Sequence, residues 1–68
     1  MCESHAYMVD ATGERKLMED VVSLTMDGDK IVMVSLLGDE MRIPARIREI
    51  AFADHRILLE PPAGPATA

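Results

Sequence analysis

Cys2, His5, Asp54 and His55 are the side chains of this sequence whose types could do chemistry, and their spacing decides which chemistry is open to them. Cys2 is the single cysteine among 68 residues and stands directly behind the initiator methionine. A lone cysteine makes no internal disulfide, so it acts as a thiol, a metal ligand or an intermolecular bridge. A cysteine hydrolase needs a histidine within hydrogen-bond reach and an orienting group behind it, and His5, His55 and Asp54 are the candidates. So short a chain leaves little room for a substrate pocket of several hundred Å³. The reading is of a protein that is not an enzyme and has no catalytic residues.

As a metal ligand Cys2 is better placed. If Met1 is removed, Cys2 presents an α-amine and a thiolate that close a chelate ring on one residue. If Met1 stays, deprotonated backbone amides near the N-terminus join the thiolate. Soft thiolate with nitrogen donors in a planar arrangement suits Ni(II) or Cu(II), whereas zinc prefers a tetrahedron. Copper(II) tends to oxidise the thiol, which leaves nickel. One chain supplies few ligands, but a dimer that brings two N-termini together supplies two thiolates and backbone nitrogens, hence about one Ni(II) per dimer. His5 is an auxiliary ligand at most. The amino-terminal copper and nickel motif needs histidine third, and here it is fifth, or fourth without Met1. In an extended strand Cys2 and His5 also point to opposite faces. The plainer alternatives, an inert thiol at position 2 and a surface histidine at position 5, stay open. His55, in ADHR between two strands, reads as a turn histidine bonded to neighbouring backbone.

The elements that must position these residues read as strands between closely spaced turns, the pattern of a small all-β barrel or sandwich. ESHAYMV is followed by DATGE, where Gly13 is free to adopt a positive φ. Asp27-Gly28 is a hairpin signal between the apolar runs Val21 to Met26 and Lys30 to Leu37. In MRIPARIREIAF, Pro44 cannot donate to a ladder and marks an edge, bulge or bend, and RILLE is a last strand. KLMEDVVSLTM is ambiguous: its apolar positions fit a helical face, and Glu19-Asp20 breaks strict alternation. The tail from residue 61 to 68, PPAGPATA, is expected to be disordered beyond a folded domain of residues 1–60. Met8, Met18, Met26, Met33 and Met41 are expected to fill core gaps rather than bind a soft metal.

Composition narrows the class further. So small a domain buries only about 60% of the surface its unfolded chain exposes, and without a disulfide framework its extra stability is expected from a homodimer. No apolar run approaches the roughly 18 residues of a membrane span, and a signal peptide's basic and apolar start is missing, so a cytoplasmic location is expected. Twelve acidic against seven basic residues give a net charge of −5, which opposes general affinity for nucleic acid. Arg42, Arg46, Arg48 and Arg56 nevertheless cluster, so a small RNA-binding barrel is the alternative.

MCESHAYMVD, GDKI, IPARIREI and DHRILLE together resemble the CooT-like family of small nickel-binding accessory proteins, associated with nickel insertion into carbon monoxide dehydrogenase. The resemblance spans about residues 1 to 60. Its most specific element is MCE with Ala-Tyr two residues further on, supported by A-x-I-x-E-I and D-H-x-I-x-L-E. It implies a small SH3-like β-barrel, a homodimer holding one Ni(II) through Cys2 of each chain, and strands throughout KLMEDVVSLTM. The partners implied are a nickel enzyme, carbon monoxide dehydrogenase or another, and a nickel-insertion ATPase. Hydrogenase maturation chaperones of the HypC type also start with cysteine behind methionine, but carry a proline soon after it, where Glu3, Ser4 and His5 stand here. Some CooT-like sequences have been described as RNA-binding by fold similarity to Sm-like barrels, a label the acidic balance opposes.

Overall fold

Alternation of apolar and polar residues sets the architecture. In the computed structural model, which describes residues 4–62, the elements are β1 (Ser4–Asp10), β2 (Gly13–Asp27), β3 (Lys30–Ser35), β4 (Glu40–Pro44), β5 (Arg46–Ala51), one turn of 3-10 helix (Phe52–Asp54) and β6 (Arg56–Glu60). Ala6 and Met8 of β1, Ile31 and Met33 of β3, and Ile57 and Leu59 of β6 are buried at every second position, and Ala45 joins them. Leu17, Met18, Val21, Leu24, Met41, Ile43 and Ile47 pack around this cluster. Full burial of an aliphatic side chain contributes about 1.5–3 kcal/mol, so Ile31, Met33 and Leu59, the largest fully buried side chains, anchor the domain. Met8 and Met33 are core and Met18 and Met41 line it, as expected. Met26 departs from that expectation at 66% exposure. It stands opposite Ile31 near the end of the β2–β3 hairpin, on the rim of a shallow cavity that Pro62 also lines.

The strands form one six-stranded sheet in the order β4-β3-β2-β1-β6-β5. β1 and β6 run parallel within it and every other neighbouring pair is antiparallel. A barrel was the expectation, and the sheet is open: β4 and β5 are its two edges and do not pair with each other. Only Ala45 separates them in the chain. The end of β4 and the start of β5 therefore meet at one corner. Pro44 is matched to Lys30 and its nitrogen lies on the open side of β4, so the ladder to β3 runs past it to Ala45, whose N–H donates to the Asp29 carbonyl.

KLMEDVVSLTM lies wholly within β2. The first part of β2 pairs with β1 and the later part with β3, and Val21 is matched to Ser4 on one side and Ser35 on the other. Asp20, immediately before this handover, has a φ of 53°, a left-handed conformation that aspartate tolerates better than most residues. Glu19-Asp20 thus breaks the alternation because the strand bends there. At the β2–β3 hairpin Asp27 is matched to Lys30. Gly28, the first of the two residues between them, alone takes a positive φ, 64°, the glycine position of a type II′ turn.

Candidate metal centre

Ser4, the first described residue, stands beside Val21, and His5 follows at the point where three segments meet. The His5 N–H donates to the His55 carbonyl at 2.9 Å. The His5 Nδ1 accepts the backbone N–H of Asp20 at 3.2 Å. An acceptor Nδ1 places the proton of the neutral ring on Nε2, so in this arrangement neither nitrogen has a lone pair free for a metal. His5 becomes a ligand only if the ring gives up the Asp20 bond or loses a further proton. Its observed work is to hold the bent strand β2 against the start of β1.

Cys2 lies outside the described residues. His55 closes the 3-10 turn in a left-handed conformation, with φ 56°, its N–H donating to the Phe52 carbonyl at 3.2 Å. It is the backbone-bonded turn histidine that the sequence suggested, and its own carbonyl anchors His5. The main chain therefore brings the two histidines together, a proximity that residues fifty positions apart do not announce. Among the described residues, no three His, Asp or Glu side chains gather into a group that could hold a metal ion.

The arginines that suggested a nucleic-acid patch are matched by carboxylates. Arg42 bonds Asp27 at 2.8 Å, Arg46 bonds Glu60 at 2.7 Å, and Arg48 lies 3.6 Å from Glu60. Arg56 pairs with Glu14 and lies over the Tyr7 ring, 4.5 Å from its centroid. The hydrogen bond from Arg46, with the Arg48 charge in support, holds the Glu60 carboxyl below its ordinary pKa. Glu19 is lowered in the same way, first by its hydrogen bond from Lys16.

A feature that the sequence reading did not find lies beside His5. Ser35 to Asp39 form a tight turn in which the Ser35 N–H donates to the Asp39 carbonyl at 2.8 Å and the Asp39 N–H to the Ser35 Oγ at 3.1 Å. The Leu36 N–H donates to the Asp20 carbonyl at 2.8 Å, tying this turn to the bend in β2. Between them opens a cleft of about 400 Å³. The run Leu36-Leu37-Gly38-Asp39-Glu40 was legible as a stop after a strand, but not as one wall of a cleft.

These features define a small, all-β protein built on one open mixed sheet, whose first strand starts beside the bend in β2. Residues 1–60 match the CO dehydrogenase accessory protein CooT, and the chain belongs to this family of accessory proteins. A crystal structure assigned to CooT from Carboxydothermus hydrogenoformans superposes with a TM-score of 0.83 at 31% identity, covering 91% of this chain and 100% of that one. An uncharacterized protein of Archaeoglobus fulgidus is 40% identical over 43 residues, 63% of this chain and 96% of its own. Another, from Methanocaldococcus jannaschii, is 32% identical over 60 residues, 88% of this chain and 98% of its own. No described helix is long and apolar enough to cross a membrane.

Proposed function

We propose that the protein is a nickel-binding accessory factor that carries Ni(II) as cargo, for carbon monoxide dehydrogenase or another nickel enzyme. The observation that carries this reading is the family match, which begins at residue 1 and so includes Cys2. With His5 engaged through Nδ1, the donors are the Cys2 thiolate and main-chain nitrogens, and two chains in a homodimer complete the set. The alternative, a small RNA-binding barrel, requires RNA to displace carboxylates from Arg42, Arg46, Arg48 and Arg56, which weakens it.

Nickel titrated into the protein is expected to give thiolate-to-metal charge-transfer absorption that saturates at one metal per two chains, with proton release as thiol and amides deprotonate. Cys2→Ser abolishes the absorption. His5→Ala keeps it while destabilising the fold, because the Asp20 N–H loses its acceptor. Wild-type nickel affinity in Cys2→Ser, with loss in His5→Ala, would place the site on histidine instead. Salt-sensitive binding of RNA without any response to nickel would favour the alternative.

A further inference from the structure

The cleft at the Asp20 corner has the chemistry of a docking groove. Its apolar lining includes Met18, Leu36, Leu37 and Met41. Leu36 is 65% exposed and Leu37 89%, and neither is left out by a loose loop. The bonds from Ser35 to Asp39 and from Leu36 to Asp20 hold this turn on both sides. Leucines fixed outward cost a partner little ordering when it covers them.

Charge identifies the occupant. Glu19, Asp20, Asp39 and Glu40 rim the cleft. Glu19 is matched by Lys16 at 2.7 Å, and Glu40 lies 4.0 Å from Arg42, which is engaged more closely by Asp27. Asp20 and Asp39 form no ion pair among the described residues. Six of the seven basic side chains are already paired, and only Lys30 forms no ion pair among the described residues. A second copy of this chain would therefore bring further carboxylates and almost no free cation.

The backbone adds a direction. The Ser35 N–H bonds the Asp39 carbonyl and the Ala45 N–H bonds the Asp29 carbonyl. Antiparallel alternation between those points turns the N–H and C=O groups of Glu40 and Arg42 away from β3, at the sheet edge. A short extended segment can pair there before Pro44 ends the edge.

We propose that this cleft docks an extended segment of a different protein, one that carries a bulky apolar side chain flanked by lysines or arginines. The inference is independent of nickel binding. The test is an NMR titration of the ¹⁵N-labelled full chain, without added metal, with an acetylated and amidated peptide Lys-Val-Lys-Phe-Lys-Val-Lys and its counterpart bearing Glu for every Lys. The basic peptide is expected to give saturable shifts centred on the Leu36, Leu37 and Glu40 amides, weakening as salt rises, and the acidic peptide none. The double substitution Asp39→Lys/Glu40→Lys is expected to weaken binding by about tenfold or more. Leu37→Ser weakens it while keeping the salt dependence. Each variant's amide dispersion reports whether it is folded, and both sites are exposed. Equal response to the two peptides, shifts centred elsewhere, no saturable shift, or indifference to the double substitution would overturn the proposal.

Discussion

Asp10 and Asp20 sit at two bends of the same stretch of chain and use their carboxylates in opposite ways. At the first bend the Asp10 carboxylate is consumed locally, accepting the Thr12 N–H at 2.9 Å, the Thr12 hydroxyl at 2.6 Å and the Arg15 guanidinium at 2.9 Å. At the second, Asp20 contributes only its main chain, with its N–H to His5 and its carbonyl to Leu36. Its side chain is left to the cleft. The ion pairs of Glu14 with Arg56 and of Glu60 with Arg46 extend the closed pattern of the first bend. A bend whose charges are satisfied by its own chain is scaffold. One whose own carboxylate takes no part in holding it leaves that charge for another molecule.

The largest effect is expected where the comparison can be broken outright, at Asp20. A β-branched residue does not tolerate φ of 53°, so Asp20→Val is expected to destabilise by about 1–3 kcal/mol. Asp20→Gly, free to adopt that conformation, should stay within about 1 kcal/mol of the parent. Urea midpoints of the two variants decide the matter. If Val and Gly cost the same, the bend does not depend on the left-handed residue, and the contrast with Asp10 loses its conformational basis.

Arg56 sharpens the other side of the comparison. Its guanidinium lies over Tyr7 and pairs with Glu14, linking three strands of the closed region. Arg56→Ala is expected to lose about 1 kcal/mol from the cation–π contact and the stem's packing. Arg56→Lys should recover only part of it, since an ammonium lacks the planar face that stacks on the ring. Denaturation midpoints together with Tyr7 fluorescence measure this. Full recovery by lysine would reduce the contact to simple charge.

The core strands were legible because their apolar residues alternate: Ala6 and Met8, Ile31 and Met33, Ile57 and Leu59 announce their own face. The break at Glu19-Asp20 was visible too, but read as ambiguity between helix and strand. A bend at which a strand changes partners leaves the same mark in the sequence as a helical turn. Closure was not legible at all, because whether two edges pair depends on sheet curvature, which no single residue encodes. The arginine cluster misled for a related reason. Arg42, Arg46, Arg48 and Arg56 are neighbours in sequence, but their partners Asp27, Glu60 and Glu14 are brought in by strand pairing. Of the candidate site, the sequence showed which residue types could bind a metal. It did not show that His5 would already be engaged by Asp20.

The smallest expected effect is the titration of the first bend. Hydrogen bonds from the Thr12 hydroxyl, first, then from Arg15 and the Thr12 N–H, lower the Asp10 pKa from 3.8 to about 2. A carboxyl whose folded pKa is depressed contributes stability that is fully present above its unfolded pKa and is lost as pH falls through the folded value. Asp10→Asn keeps an acceptor for Thr12 but removes the charge, so it should be less stable than the parent at neutral pH. The gap should close between about pH 4 and pH 2. Glu19 and Glu60, also lowered, make both proteins lose stability in acid, and the Asn variant should lose less. Because Asp10 is only half-buried and its partner Arg15 is exposed, added salt should shrink the gap at pH 7. Parallel denaturation curves at every pH would mean that the Asp10 turn, like the Asp20 corner, is held without its carboxylate charge, and the distinction between the two bends would rest on ion pairing that adds nothing to the fold.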